Sequence, residues 1–436
     1  MKKNLLVLVL ALFVSLGSIS SVGAIGDVGY PNWGETISCG EHFTAVLKAD
    51  GSLWMWGGNE TGQLGNGGHG NSFNVVFDDV ICQTVPIKVM DQVASISCGA
   101  EHVAALKKDG SLWMWGFNSD GRLGIGLNGN AVNSYDEPYQ TVPVKVMDNV
   151  AAVSCGDYHT AAIKTDGTLW TWGSNGFGQL GNGGTGGVGY DTWEGKYYVQ
   201  TRPVKVMDNV AAVSCGAYHT GIVKTDGTLW MCGSNESGAV GNGGKGNDTS
   251  MIYTYQTVPV QVMTDVATVS CGLDTTAAVK TDGTLWTWGC NCSGELGNGG
   301  REDMRENTWY QPCQSTPLQI MDQVADVSCG QGHTAILKTD GTLWTCGYNS
   351  FGKLGDGTDA ELRLVPVQVM SQVNSMACGG ITTAVVKADG TLLLWGSNEN
   401  GELGNGTQKP LTIPTPLMSG VALRSFAPPV PVAGYT

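Results

Sequence analysis

Seven copies of one sequence unit follow one another along this chain, and that repetition constrains the fold more than any single residue does. The unit reads Ser/Ala-Cys-Gly-x-x-His-Thr, then Lys-x-Asp-Gly-Thr/Ser-Leu-Trp-x-Trp-Gly-x-Asn, then Gly-x-Leu-Gly-Asn-Gly. Its cysteines are Cys39, Cys98, Cys155, Cys215, Cys271, Cys329 and Cys378, at intervals of 59, 57, 60, 56, 58 and 49 residues. A repeat of that length is one supersecondary unit that cannot bury its apolar face alone and must stack on its neighbours. Function should then reside where the copies differ.

Within a unit apolar residues alternate, as in Leu169-Trp170-Thr171-Trp172-Gly173, and a period of two marks strands. Four strands are expected per copy; in the third they are 150–155, 159–164, 168–173 and 203–207. Asp166-Gly167 joins the second strand to the third and has a counterpart in every copy. It fits a two-residue hairpin turn, which needs the positive φ that glycine adopts without penalty. Four antiparallel strands repeated seven times give an all-β, seven-bladed β-propeller whose closure leaves few sheet edges open. The paired tryptophans, such as Trp54 with Trp56 and Trp113 with Trp115, share a sheet face and should fill the gap between blades. Cys232 and Cys346 replace the second tryptophan in copies four and six. Residues 421–426 resemble the start of an eighth copy and are expected to close the ring with residues near 27–33.

Taken together, Cys-Gly-x-x-His-Thr, Asp-Gly, Trp-Gly-x-Asn and Gly-x-Leu-Gly resemble the repeat of the regulator of chromosome condensation family, over residues 37–418. The resemblance implies the same seven-bladed propeller, here in a secreted bacterial-type member. Eukaryotic relatives promote nucleotide exchange on the small GTPase Ran and bind chromatin. Secreted bacterial propellers similar to this repeat inhibit β-lactamases through one rim.

Residues 1–24 stand apart from the repeats. Lys2 and Lys3 precede an apolar run from residue 5 to 16, and Val22-Gly23-Ala24 fits a small-residue cleavage site. This is the pattern of a secretory signal peptide, too short for a comfortable membrane span. A single propeller is expected over 25–436, with a closing segment at 419–436, exported and monomeric. The net charge is −15, and loss of Lys2 and Lys3 makes it −17. Such a surface repels phosphate backbones, which excludes nucleic acid as a partner. Of 13 cysteines, seven occupy the repeat position. Equivalent positions in adjacent blades lie too far apart for a disulfide, so these seven should be buried thiols. Cys290, Cys292 and Cys313 all fall in copy five, where a Cys292–Cys313 disulfide would pin the loop.

His102, His159, His219 and His333 share one repeat position, held by Phe43, Thr275 and Thr382 in the other copies. Residues spaced around a ring do not converge on one point, as catalysis or metal binding requires. They should be semi-buried imidazoles bonded to backbone. The Gly-Asn-Gly-Gly stretches lack the Lys-Ser/Thr ending of a phosphate loop. No catalytic, metal or cofactor set is expected, and the protein is read as not an enzyme.

Strand parity separates two rims. The Asp-Gly turns and the links between blades fall on one rim, and that rim repeats Lys-x-Asp-Gly seven times. The Cys-Gly-x-x-His turns and the links from third to fourth strand fall on the other. There the links of the first five copies are long: 67–84, 126–141, 183–201, 243–257 and 299–316. They hold eight of the 13 tyrosines: Tyr135, Tyr139, Tyr190, Tyr197, Tyr198, Tyr253, Tyr255 and Tyr310. Trp193, Trp309, Phe73 and Phe77 join them, Tyr158 and Tyr218 add to the same rim from the turns, and acidic residues outnumber basic ones. Rigid aromatic rings on scaffolded loops are the composition of a recognition surface. The expected function is a secreted, non-catalytic scaffold that holds an extracellular protein or carbohydrate through this aromatic-acidic rim. Exchange-factor activity and enzyme inhibition of the β-lactamase-inhibitor type are the alternatives that the resemblance implies.

Overall fold

The computed structural model describes residues 35–68, 72–74, 80–133, 136–184, 188–192, 195–244, 254–300 and 313–424. Each copy builds one antiparallel sheet with its four repeat strands in chain order, seven sheets in all, and the one helical segment among these residues is a 3-10 turn at Ser350–Gly352. The propeller expected from the repeat is the fold observed. In the third copy the strands are Val150–Cys155, His159–Lys164, Leu169–Ser174 and Gly195–Met207. The fourth strand starts well before the expected residue 203 because the long link continues it. In the first three copies part of the link returns as a fifth strand, Ser72–Asn74, Ala131–Val132 and Val188–Thr192.

The Asp-Gly turn differs from expectation in one respect. Gly167 N–H donates to Lys164 C=O at 2.9 Å and Lys164 N–H donates to Thr168 C=O at 2.9 Å. The loop therefore has three residues, Thr165 to Gly167, and only Gly167 takes positive φ, at 77°. A type I turn followed by a left-handed glycine gives this geometry, and Asp166 stays in ordinary conformation because its carboxylate is needed as an acceptor.

The core is seven clusters, one at each seam between neighbouring blades, and not a single centre. The second tryptophan of each pair, Trp56, Trp115, Trp172, Trp288 and Trp395, is fully buried there, as expected from the shared face. Gly-x-Leu-Gly explains why the seams repeat. The carbonyl of its second residue accepts the indole N–H of the next blade: Arg122 C=O from Trp172 at 2.8 Å, Ala239 C=O from Trp288 at 2.8 Å, Lys353 C=O from Trp395 at 2.9 Å. The closing glycine of the motif is required by contact. Gly124 has φ +74°, and a Cβ there would stand 2.9 Å from the Trp172 indole nitrogen.

The repeat histidines are more buried than expected and bond differently. His102, His159, His219 and His333 are all but inaccessible and reach a threonine hydroxyl on the next blade, Thr160, Thr220, Thr276 and Thr383, at 2.7–3.1 Å; His219 and His333 bond backbone as well, at Thr275 and Gln331. Each hydroxyl donates to the Gly-x-Leu-Gly carbonyl, as Thr160 does to Arg122 C=O at 2.9 Å. The imidazole must then donate through Nε2, which fixes the tautomer. Burial pushes His159 down to about 3 and His219 down to about 4, so both are neutral at physiological pH. At the seam between blades one and two the histidine position is Phe43 and the threonine position is Val103, an apolar pair in place of the polar one.

Around the central channel, each blade's serine hydroxyl accepts the cysteine N–H of the next: Ser38 from Cys98, Ser97 from Cys155, Ser154 from Cys215, continuing to Ser328 from Cys378, at 2.9–3.0 Å. The seventh position is Ala377, so this bond is missing where blade seven meets blade one. That seam is closed by both ends of the repeat array instead. Thr36 C=O accepts Leu47 N–H, Val421 bridges Lys48, and Ala422 N–H donates to Leu47 C=O. The innermost strand of blade one is thus shared between Ile37–Cys39 and Val421. The C-terminal residues do close the ring as expected, but against residues 47–48; residues 27–33 lie outside the described residues. Arg424 then enters the channel, pairs with Asp326 and is held by Asn374.

Candidate functional site

On the Asp-Gly rim, the side-chain polar groups are satisfied within each copy. Lys164 Nζ stands 4.6 Å from the Trp170 ring, whose indole N–H donates to Thr168 Oγ1, which in turn donates to Asp166 at 2.6 Å. Six blades carry this arrangement; the seventh has Leu393 in place of tryptophan. The hydroxyl and amide bonds from Thr168 hold the Asp166 carboxyl below its usual range.

The opposite rim is made between copies. A bidentate pair joins Arg122 to Asp120, at 2.6 and 2.8 Å, and both side chains are buried. The same guanidinium donates to Asp157 C=O at 2.8 Å. Held there, it lies 5.0 Å from the Phe117 ring and 5.2 Å from Tyr158. Tyr158 stacks on Tyr218, centroids 5.2 Å apart and planes 20° from parallel. Phe177 meets Tyr218 edge-on at 4.9 Å and Tyr255 at 5.3 Å. Phe117, Arg122, Tyr158, Tyr218, Phe177 and Tyr255 therefore form one continuous ladder across blades two, three and four. Tyr158, Tyr218, Phe177 and Tyr255 are half-buried, each with a face or edge left to solvent. Offset and edge-on ring pairs stiffen such a surface beyond the area they bury.

Carboxylates surround the ladder at the channel mouth. Glu41, Glu101, Asp157 and Asp274 occupy the Cys-Gly-x-x-His turns, and Glu60 and Glu236 the neighbouring links. Burial pushes the Asp157 carboxyl up to about 6, Glu41 and Asp274 add to the rise, and Arg122 opposes it. Burial also raises Glu101, with Glu41 and Glu60 adding against Arg122, and it raises Glu236, with Asp274 adding. These groups repel one another across the mouth, and among the described residues Arg122 is committed to Asp120 and Lys353 to Gln331 C=O at 2.7 Å. His42 sits at this mouth half-exposed, 3.7 Å from Glu402.

The residues expected to bind a partner divide into three sets. Tyr139, Tyr198 and Tyr255 are half-buried on this rim, and Tyr255 joins the ladder. Tyr190 and Tyr197 face each other in register in the hairpin of blade three. Tyr135, Trp193, Tyr253, Trp309 and Tyr310 lie outside the described residues. Phe177, Phe117 and Arg122 were missed. Part of their signal was present: Arg122 is the arginine that sets copy two apart within the Gly-x-Leu-Gly word, whereas Phe177, just before that word, has a counterpart in Phe351 of copy six.

The chain's similarity to known proteins can be stated against this geometry. A family model of the RCC1-like domain matches residues 30–312, and the regulator of chromosome condensation (RCC1) repeat matches 324–353, 340–386 and 389–427. The Ultraviolet-B receptor UVR8 of Arabidopsis thaliana is 30% identical over 334 residues, 74% of this chain and 67% of the receptor. The mitochondrial RCC1 domain-containing protein RUG3 of the same plant is 29% identical over 70% of this chain and 67% of its own length. The E3 ubiquitin-protein ligase HERC2 of Homo sapiens is 28% identical over 73% of this chain, which spans only 6% of that protein. Among solved structures, Prp20p from Saccharomyces cerevisiae, described with its binding to Gsp1p and histones, superposes with a TM-score of 0.68 at 19% identity, over 86% of this chain and 87% of that one. Human WBSCR16 gives 0.66 at 22% identity, over 84% and 94%.

Proposed function

Because this chain belongs to the family of RCC1-like domains built from RCC1 repeats, we propose that it acts as a non-catalytic binding scaffold and engages a protein partner through the rim that carries the aromatic ladder. The observation that carries this reading is the ladder itself: six side chains from three copies, brought together at one side of the ring, with Tyr158, Phe177, Tyr218 and Tyr255 half-buried and Phe117 and Arg122 buried behind them. Clustered tyrosines stacked beside an arginine are the side chains that dominate binding energy at protein interfaces. The carboxylates at the mouth add a preference of sign. Their mutual repulsion is relieved by a positive group, so a lysine- or arginine-rich segment of a protein suits the rim better than a neutral carbohydrate does.

The reading extends to location. Lys2, Lys3, the apolar run at 5–16 and Ala24 support export with removal of residues 1–24. The mass of the protein recovered from culture medium tests this; a chain retained in cells and starting at Met1 contradicts it.

For the rim, titration calorimetry with a lysine- and arginine-rich peptide is the direct test. Binding that weakens in a Tyr158→Ala, Tyr218→Ala variant and in an Asp157→Asn, Asp274→Asn variant supports the assignment. Unchanged binding in both variants removes the rim from the account.

A further inference from the structure

The cysteines of blade five stand apart from those of the repeat position. The seven Cys-Gly cysteines sit in the seams, and burial pushes Cys39, Cys155 and Cys271 up to about 12. Thiols held so far from ionisation are inert to exchange. Cys290 ends the third strand of blade five, Leu285–Cys290, Cys292 follows two residues later, and Cys313 opens the fourth strand directly opposite Cys290. No other copy has cysteine at the position of Cys290 or of Cys292. The two sulfurs approach to 3.2 Å. Exposure rises outward: Cys290 is buried, Cys292 half-buried and Cys313 exposed. The expected Cys292–Cys313 disulfide is not formed; all three are thiols, and the Sγ–Sγ contact is between Cys290 and Cys292.

The turn that brings the pair together is fixed by its neighbours. Asn291, between the two cysteines, accepts Leu296 N–H at 3.2 Å and donates to Asn298 Oδ1 at 3.0 Å and Gly300 C=O at 2.9 Å. Glu295 is buried beside them; its carboxylate accepts Ser293 N–H at 2.7 Å and the Cys290 thiol.

We propose that Cys290 and Cys292 are a redox-active dithiol that closes to a disulfide by exchange with a small-molecule disulfide, Glu295 serving as the base for Cys290. The Cys292 thiolate, its proton lost to water, attacks one sulfur of R–S–S–R. A Cys292–S bond forms, the R–S–S–R bond breaks, and the departing thiolate takes a proton from water. Cys290 then gives its proton to Glu295 and attacks Cys292 Sγ. The Cys290–Cys292 bond forms, the Cys292–S–R bond breaks, the departing thiolate takes the proton back from Glu295, and the second R–SH leaves. Two protein thiols are oxidised and one external disulfide is reduced to two thiols, so no further oxidant is needed. The division of labour follows position. Cys292 is the one a solute can reach, while burial and the neighbouring Glu295 charge hold Cys290 as a thiol until a base is at hand. Burial in turn raises the Glu295 carboxyl, which strengthens it as that base. This inference is independent of the rim's partner, since it rests on blade five alone.

The test is thiol mapping of the whole protein equilibrated in glutathione buffers of graded disulfide-to-thiol ratio, quenched in acid, alkylated and digested with trypsin. Cys290 and Cys292 fall in one peptide, 281–301, and Cys313 in a later one. The expected product is peptide 281–301 lacking both labels and two hydrogens, with Cys313 and the seven seam cysteines alkylated. Cross-linked peptides joining Cys313 to either cysteine, or full labelling across the whole range, overturn the proposal. Cys290→Ser should trap glutathione on Cys292, and serine already stands at the equivalent Ser174 and Ser234, so the blade should tolerate it. Cys313→Ser should leave closure intact. Glu295→Gln, which has counterparts in Gln63 and Gln179, should slow closure by at least about 10-fold without moving its midpoint. An unchanged rate removes Glu295 from the step.

Discussion

The two rims are built from equal numbers of turns and differ in where their contacts lead. On the Asp-Gly rim, lysine, tryptophan, threonine and aspartate satisfy one another within one copy, in six of seven blades. The bond each turn makes to its neighbour is the same in every copy, the glycine C=O accepting the valine N–H that follows, as Gly167 does from Val210 at 3.0 Å, so the turn can be repeated without change. On the Cys-Gly rim, Arg122 reaches from blade two to Asp157 in blade three, and Tyr158 stacks on Tyr218 of blade four. Such contacts exist only because particular copies stand side by side, so changing one copy changes a local surface and leaves the ring intact. The comparison teaches that a repeat protein can separate a side whose contacts repeat from a side whose contacts vary.

The strongest way to break this comparison is through the seams that support both rims. Trp172→Ala should cost about 3–5 kcal/mol in unfolding free energy, because it removes a fully buried ring and the N–H that Arg122 C=O accepts. A cost below about 1 kcal/mol in denaturant titration would mean that the seams do not hold the ring.

Next in size is the ladder. Tyr158→Ala combined with Tyr218→Ala should weaken partner binding by at least about 2 kcal/mol, near 30-fold. Charge reversal at Lys107, Lys164 and Lys224 on the opposite rim should leave affinity within a factor of about 2. The reverse result would exchange the roles of the two rims.

Thr160→Val should cost about 1–2 kcal/mol by leaving the buried His102 Nε2–H without its acceptor. Adding His102→Phe should recover much of that loss, since it recreates the Phe43 and Val103 pair found between blades one and two. A double variant no better than the single one would show that the histidine has a further role.

The smallest effect sharpens the electrostatic side. The Asp157 carboxyl binds its proton near pH 6 in the folded chain, and near about 3.9 when unfolded. Between those values the folded state holds more protons, so stability falls as pH rises through 6. Asp157→Asn should therefore add ~1 kcal/mol of stability at pH 8, seen as a higher melting point, and make no difference near pH 4. Binding of a basic peptide should change in the opposite sense, weakening as pH drops below about 6. Melting curves of the two forms that stay parallel from pH 4 to 8 would contradict both statements.

Much of the architecture follows from local rules that any stretch of this sequence obeys. Alternation in Leu169 to Gly173 makes a strand wherever it lies. Gly167 takes positive φ because its turn requires it. Seven spaced cysteines count the blades. Strand parity also assigns the long links and their tyrosines to one rim, which is why Tyr255 could be placed near the site before any coordinates. Parity does not say which rings touch. Tyr158 and Tyr218 are 60 residues apart, and their 5.2 Å separation is set by the angle between adjacent blades. Phe177 and Arg122 read as ordinary variation in a loop until the ring closes and puts them against a neighbour. The histidines are a similar case: the sequence marks them as equivalent, and only the seam supplies the threonine that fixes their tautomer. Cys290 and Cys292 are two residues apart in the chain, but the turn held by the bonds of Asn291 brings their sulfurs to 3.2 Å. The sequence by itself determined the strands, the number of copies and the two rims, because these depend on residues close together in the chain. The tertiary structure decided the ladder, the charged mouth and the seams, because contacts between copies depend on the curvature of the closed ring, which no single repeat contains.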